Sequence, residues 1–205
     1  MEVQNLVNQL MRRGIIAGPD HFVLGDGFGN PGRHCSLFVV PEKFYLSHDI
    51  HEALIGNIVE RLRDMEFDLI IVPDVQSLAV AKVIAGHIER NLNRPPMQVL
   101  DFKTDDLPDS DRPVLIHDDV ITPGKQATEM IQSLRAETRL RPVAISTVFS
   151  RIPEMELDGL PILPAVDRVM AGHEPDQCPY CAEGMPVNVK YGKGLLFRDR
   201  MKAGR

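Results

Sequence analysis

The chain has 205 residues, of which 43% are apolar and 25% charged, a composition typical of a globular protein with one hydrophobic core. Its formal net charge of -6 argues against a nucleic-acid or anionic-membrane partner, because both need a broad basic surface. The longest apolar runs are too short to span a bilayer, and the first residues lack the basic start and apolar stretch of a signal peptide. We therefore expect a cytoplasmic protein.

The apolar positions predict helices and short strands that alternate along most of the chain. Apolar residues at helical spacing mark the helices, and short continuous apolar runs are typical of buried parallel strands. In chain order, the predicted elements are a helix over 1–13, strands near 22–24 and 37–40, a helix over 50–63, a strand over 67–72, a helix over 77–92, strands over 98–102 and 114–117, a helix from 128, a strand over 143–149 and a short strand at 162–163.

This alternation implies an α/β fold with a mainly parallel sheet that helices cover on both faces. In open sheets of this type, ligands bind in the crevice outside the carboxyl ends of the strands. Three segments are predicted to lie at that edge: residues 73–77, 118–125 and 150–151.

In residues 114–125 (VLIHDDVITPGK), a predicted buried strand leads into two acids, a glycine-containing turn and a helix. The carboxylates of Asp118 and Asp119 can accept charge-assisted hydrogen bonds from neighbouring hydroxyl groups. A turn before a helix presents backbone N–H groups to an anion, and Lys125 adds a positive charge. This combination suits a ribose phosphate. Two acids before a helix can equally cap it and start a turn, so chemistry alone leaves both interpretations open.

The same segment resembles the phosphoribosyl diphosphate (PRPP) motif of type I phosphoribosyltransferases: a strand, two acids, Val, any residue, Thr-Thr-Gly-Gly and a helix. The resemblance extends over about residues 14–197 and looks like the orotate phosphoribosyltransferase branch in particular. The further segments that carry it are 21–24 (HFVL), 34–48 (HCSLFVVPEKFYLSH), 67–73 (FDLIIVP), 147–151 (TVFSR) and 174–188 (EPDQCPYCAEGMPVN).

The resemblance implies one type I phosphoribosyltransferase-like domain over residues 1–205, with a mainly parallel central sheet flanked by helices and a small hood from about 14–48 and 165–197. It implies a glycosyltransferase (pentosyltransferase) that moves the ribose 5-phosphate of PRPP to a nitrogenous base, an orotate-like pyrimidine above all. Mg²⁺ would accompany PRPP as the cofactor. The implied partners are these small molecules and a second copy of the chain in a homodimer, and the implied role is in pyrimidine biosynthesis and nucleotide metabolism.

The family's site residues map onto this sequence by position in the motifs. The resemblance gives catalytic roles to Asp118 and Asp119, which would hold the ribose hydroxyls, and to Lys103, which would assist the leaving diphosphate. The other residues implied to bind PRPP are Thr122, Gly124, Lys125, Asp74 and Ser77. Arg151 and Lys43 would face the base. Arg151 has a simpler interpretation as a surface arginine paired with Glu154 or Glu156, and His117 is expected to be a hydrogen-bonded structural histidine.

Three departures from the family pattern bear on activity. Pro123 and Lys125 stand where the family usually has Thr and a small residue, and proline removes one N–H from the phosphate turn. Residues 73–78 (PDVQSL) contain no glycine, and Asp74 would repel an anionic ligand unless a magnesium ion lies between them. Residues 102–112 form a short connection with four aspartates against one lysine and one arginine. These departures favour the alternative of a non-catalytic PRPP- or nucleotide-binding regulatory protein with a degenerate active site.

The three cysteines do not form a disulfide framework. Cys178 and Cys181 have the C-x-x-C spacing that could hold half of a tetrahedral zinc site, which Cys35, His34 or His173 could complete in space. The pattern without a second close pair favours a tight turn with reduced thiols, so no protein-bound metal is expected. A zinc-stapled interaction module is a third interpretation that rests on this pair only.

Overall fold

The computed structural model describes residues 3–26, 30–40, 43, 48–122, 124–152, 154–166 and 172–203. The chain divides into two compact units. One unit combines the two ends of the chain, Met1–His51 with Arg168–Arg205, and the other is Glu52–Asp167. No described helix is long and apolar enough to cross a membrane.

The helices and strands follow the predicted order closely. In chain order, the elements are α1 (Val3–Arg12), β1 (Ile16–Ala17), β2 (Phe22–Gly25), β3 (Pro31–Cys35), β4 (Phe38–Val39), α2 (His48–Arg61), β5 (Leu69–Val72), α3 (Val75–Leu92), β6 (Gln98–Asp101), β7 (Pro113–Ile121), α4 (Lys125–Glu137), β8 (Arg141–Ser150), β9 (Glu156–Leu157), β10 (Leu160–Pro164), a 3₁₀ turn (Pro175–Gln177), α5 (Pro179–Ala182) and α6 (Gly194–Ala203).

The unit Glu52–Asp167 contains a six-stranded sheet in the order β6-β5-β7-β8-β10-β9. The first five strands are parallel, and β9 pairs antiparallel with β10 at the edge. All four residues of β5 are buried, as expected for a central strand that helices cover on both faces. The predicted fold class, a mainly parallel α/β sheet flanked by helices, is therefore confirmed.

One strand departs from its predicted length in a way that matters for the site. The apolar run predicts a strand that ends at His117, but β7 continues to Ile121 and pairs with β8 as far as Ser150. The acid pair Asp118-Asp119 therefore lies in the paired part of β7 and not in a loop after the strand. Pairing with β8 compensates for the low strand propensity of aspartate.

The unit formed by the two chain ends contains two antiparallel pairs, β1 with β4 and β2 with β3. In β2 and β3, Val23 lies opposite His34. The C-terminal segment adds to this hairpin, because His34 and His173 exchange two backbone hydrogen bonds of 2.8 and 2.7 Å. A small apolar cluster of Phe22, Leu24 and Cys35 lies between these segments. These segments are those predicted to form the hood, and that arrangement stays a prediction.

Candidate active site

The acid pair lies at the carboxyl end of β7, at the edge of the sheet where parallel α/β folds bind ligands. Asp118 is in register with Thr147 of β8. Because successive residues of a strand point to opposite faces, Asp118 and Asp119 project on opposite sides of the sheet edge. Both residues are partly exposed at this edge.

A buried hydrogen-bonded chain holds Asp119 from behind. The Nε2 of His117 lies 3.1 Å from Asp119 Oδ1, and its Nδ1 lies 3.0 Å from Ser146 Oγ. Both His117 and Ser146 are fully buried. The hydroxyl of Thr147 donates to the backbone carbonyl of Asp119 at 3.2 Å. Since a carboxylate only accepts, His117 Nε2–H must donate to it, which fixes the tautomer and orients Asp119. The sequence predicts a structural His117 but not its partner Asp119, although a spacing of two along a strand places both side chains on one face.

Replacing His117 by leucine is expected to destabilise the protein by about 1–3 kcal/mol, because Ser146 and Asp119 then lose a buried partner. Glutamine at the same position can still donate to Asp119 and is expected to cost less. The free energy of unfolding in urea measures both changes. The Ser146→Ala variant, which removes only the partner of His117 Nδ1, is the matched control. An equal loss of stability in the His117→Leu and His117→Gln variants would contradict the role of the Nε2–H donor.

Asp118 has an unusual protonation equilibrium. Burial, followed by the charges of Asp119 and Asp74, raises its pKa from 3.8 to about 7. A hydrogen bond from the N–H of Val120 to Asp118 Oδ1, at 3.4 Å, opposes this rise but does not cancel it. A carboxyl group with this pKa exchanges its proton near neutral pH, so a cationic or hydroxyl ligand that favours the carboxylate is coupled to proton release.

Two helices begin at this edge, and their N-termini differ. Helix α4 follows Gly124, which has φ +78° and ψ 2°, the left-handed conformation that glycine adopts without strain. Among the described residues, no side chain caps α4. The N–H groups in the first turn of a helix can donate to an anion such as a 5′-phosphate. The side chain of Lys125 is exposed at the first helical position, and Thr122 is partly exposed just before the turn. Pro123 lies outside the described residues.

Helix α3 is capped by its own chain. The Oδ1 of Asp74 accepts hydrogen bonds from Gln76 N at 3.0 Å and Ser77 N at 3.3 Å. Ser77 is buried, and its Oγ accepts from the backbone N–H of Asp119 at 3.4 Å. Both residues are predicted to bind PRPP. The structure places the Asp74 carboxylate on the first N–H groups of α3 and Ser77 beside the acid pair, and the role of both residues toward PRPP stays a prediction.

The connection after β6 begins with a turn that contains Lys103. Lys103 N donates to Asp101 Oδ1 at 2.9 Å, and its side chain is exposed at the carboxyl edge. The later part of the connection runs to the opposite edge of the sheet. There Asp109 pairs with Arg139 at 2.9 Å and Asp111 with Arg141 at 2.7 Å. Those two aspartates therefore do not surround Lys103, and the electrostatic objection that the sequence raised is weaker than expected.

The two residues predicted to face the base lie in different units. Arg151 directly follows β8, and its N–H donates to Ile121 O at 3.0 Å. The residue is 4% exposed, so the alternative of a surface arginine is wrong. Lys43 belongs to the unit of the chain ends and is exposed. Roles of both residues toward a base stay predictions.

Comparisons with known proteins agree with this geometry. No protein-family model matches the chain. The orotate phosphoribosyltransferase of Carboxydothermus hydrogenoformans is 27% identical over 197 residues, which are 89% of this chain and 93% of that protein.

Two solved structures share the fold. The UMP synthase of Leishmania donovani superposes with a TM-score of 0.59 and 17% identity, over 80% of this chain and 36% of that longer chain. The orotate phosphoribosyltransferase of Mycobacterium tuberculosis H37Rv in complex with PRPP gives a TM-score of 0.52 and 18% identity, over 80% of this chain and 95% of that one.

The strand order, the acid pair at the end of β7 and the uncapped helix behind it define a protein with the type I phosphoribosyltransferase fold. Within that class, the curated relatives are orotate phosphoribosyltransferases. The resemblance to the orotate phosphoribosyltransferase branch, which the sequence predicts, is thus confirmed, and the relatives indicate an enzyme of the pentosyltransferase class.

Proposed function

We propose that this protein transfers the ribose 5-phosphate of PRPP to a nitrogenous base, with an orotate-like pyrimidine as the substrate. One observation carries the proposal: the partly exposed acid pair at the end of β7 stands beside the uncapped N-terminus of α4. Carboxylates next to the start of a helix provide acceptors for ribose hydroxyls and N–H donors for a phosphate in one place. The relatives named orotate phosphoribosyltransferase support the choice of reaction.

Each group of residues would bind the part of PRPP or of the base that its charge suits. Asp118 and Asp119 accept hydrogen bonds from the two ribose hydroxyls, and these bonds hold C1′ in place while its bond to the diphosphate breaks. The N-terminus of α4, with Thr122 and Lys125, binds the 5′-phosphate. Lys103 neutralises charge on the departing diphosphate, and a nitrogen of the base then bonds to C1′. The guanidinium of Arg151 orients a carboxylate of the base.

The donor set at this edge suits Mg²⁺. Asp74 and Asp119 both raise the pKa of Asp118, so three carboxyl groups lie within electrostatic reach of one another. Hard oxygen donors of this type are the ligands that Mg²⁺ uses, together with substrate phosphates. When bound with PRPP, the ion would neutralise charge on the diphosphate. The same proposal includes a homodimer, which the family resemblance implies.

Diphosphate release from PRPP tests the proposal. The purified protein is incubated with PRPP and Mg²⁺, alone and with each member of a panel of bases that begins with orotate. We expect diphosphate and the nucleoside monophosphate in equal amounts with orotate, and neither without a base. The Asp109→Asn variant is the matched control, because Asp109 pairs with Arg139 at the opposite edge and should not affect turnover.

Binding measurements separate the alternatives. PRPP binding without turnover on any base would overturn the enzyme and support the regulatory protein that the sequence also suggested. Failure to bind PRPP at all would overturn both. Size-exclusion chromatography with light scattering tests the homodimer independently of activity.

A further inference from the structure

A group of four metal-ligating side chains lies in the unit of the chain ends, and the proposed reaction does not use it. The group consists of His21, His34, Cys178 and Cys181, and their ligand atoms all lie within 4.8 Å of one another. His21 precedes β2, His34 lies in β3, and the cysteines lie at the start of and within α5. Three of the four residues are buried, and Cys181 is exposed.

The distances between ligand atoms match a tetrahedral centre. His21 Nε2 lies 2.9 Å from His34 Nδ1, and Cys181 Sγ lies 3.2 Å from the same Nδ1. His21 Nε2 lies 3.6 Å from Cys178 Sγ and 3.7 Å from Cys181 Sγ. Zinc bond lengths and a tetrahedral angle give ligand separations of about 3.3 Å between two nitrogens and about 3.6 Å between nitrogen and sulfur. The four separations given above lie within a few tenths of an ångström of these values, and all six lie within 4.8 Å.

The surroundings of the two histidines present the nitrogens that a metal needs. His21 Nδ1 lies 2.8 Å from the carbonyl oxygen of Met185, so this nitrogen carries the proton and Nε2 is left as the lone-pair donor. A backbone carbonyl behind a metal-bound histidine is the usual outer contact of such sites. His34 packs edge-on against the ring of Phe197, with 4.8 Å between centroids. Its Nε2 has no hydrogen-bond partner among the described residues, which fits an N–H that points at apolar surroundings while Nδ1 binds the ion.

We propose that His21, His34, Cys178 and Cys181 bind one structural Zn²⁺ ion. Two thiolates and two imidazoles are a common ligand set of structural zinc, and no position is left open for catalysis. Cys35 and His173, which the sequence offers as further ligands, do not join the group. Cys35 Sγ donates to Leu37 O at 3.0 Å, and His173 pairs with His34 through its backbone.

The ion would fasten together two ends of the chain that are far apart in sequence. His21 and Cys178 are separated by 157 positions. The other links between these segments include backbone hydrogen bonds, such as Asn188 N to His21 O at 2.7 Å, and side-chain contacts, such as Arg33 to Glu174 at 2.7 Å. The apolar cluster described for this hairpin contains three buried residues. A metal ion that joins segments around such a cluster adds directly to the free energy of folding.

Metal analysis of the intact protein tests the site. Protein purified in reducing buffer without added metal is expected to contain about one zinc per chain, and the Cys178→Ser and Cys181→Ser variants close to none. Cys35→Ser is the matched control and should keep its zinc, because serine can donate to Leu37 O as cysteine does. Removal of zinc by a strong chelator should lower the midpoint of thermal unfolding by several degrees.

Cobalt substitution and thiol alkylation keep the test decisive if the serine variants fail to fold. Cobalt-loaded wild-type protein is expected to show thiolate-to-cobalt charge transfer and the intense visible bands of tetrahedral cobalt. Alkylation mapped by mass spectrometry should modify Cys178 and Cys181 only after chelation. Folded wild-type protein without zinc, and without cobalt bands after loading, would overturn the proposal. So would a Cys178→Ser variant with the zinc content of the wild type.

Discussion

Replacing Asp118 by asparagine is expected to lower kcat/KM for PRPP about 10- to 100-fold, and at the same time to stabilise the fold above pH 7. The loss follows because a charge-assisted hydrogen bond to a ribose hydroxyl is worth about 1.5–3 kcal/mol. The gain in stability follows because ionisation of Asp118 beside the charges of Asp119 and Asp74 costs free energy. Asparagine has nearly the same shape and carries no charge. Steady-state kinetics and urea unfolding measure the two effects on the same preparation.

The pH dependence of stability identifies the group responsible. Asp118 has a pKa of about 7 in the folded protein against an ordinary value of 3.8. The folded state therefore keeps a proton that the unfolded chain releases, so this residue's contribution is fully present below pH 4 and is lost as pH rises through 7. The loss amounts to a few kcal/mol at most. The wild type should lose stability relative to Asp118→Asn between about pH 4 and 8.

Two companion variants control this result. Asp119→Asn should also lower kcat/KM, but it removes a charge that raises the pKa of Asp118, so it should shift the pH dependence to lower pH instead of abolishing it. Asp109→Asn should change neither quantity, because Asp109 is exposed and paired with Arg139. Parallel stability curves for wild type and Asp118→Asn over this pH range would show that Asp118 is not the titrating group.

The sheet could be predicted from sequence because the signals are local. Continuous apolar runs such as 69–72 are buried on both faces and alternate with helical periodicity, and this pattern admits few folds. The position of Asp118 and Asp119 followed from the same reasoning, since strands that are parallel end at one edge. The end of β7 could not be predicted this way, because the strand continues through two acids only with β8 beside it.

The remaining features depend on contacts that spacing along the chain does not encode. Asp109 reaches Arg139 across 30 positions, and this contact decides which edge of the sheet the acidic connection approaches. His21 reaches Cys178 across 157 positions, so the C-x-x-C pair looked like half of a site. The cap on α3 is a local signal: Asp74 stands directly before the helix, where an acid is a common N-cap. The family resemblance instead predicts a role for the Asp74 charge toward an anionic ligand.

Replacing Asp74 by serine is expected to strengthen the binding of diphosphate about tenfold when Mg²⁺ is absent. The Asp74 carboxylate lies on Gln76 N and Ser77 N, and a negative charge at the start of α3 repels an anion that seeks the same N–H groups. Removal of one like charge at close range is worth about 1.4 kcal/mol, which is tenfold in affinity. Serine caps helices as well as aspartate, so stability should change by less than about 0.5 kcal/mol.

Magnesium should reverse part of this gain, because the Asp74 carboxylate can bind the ion and the serine cannot. The ratio of diphosphate affinities with and without Mg²⁺, measured by isothermal titration calorimetry, is thus expected to be larger for the wild type than for Asp74→Ser. Asp111→Ser is the control of equal charge change, since Asp111 pairs with Arg141 at the far edge. If Asp74→Ser and Asp111→Ser bind diphosphate equally well under both conditions, Asp74 does not face the ligand, and the first turn of α3 is a structural cap with no part in the diphosphate site.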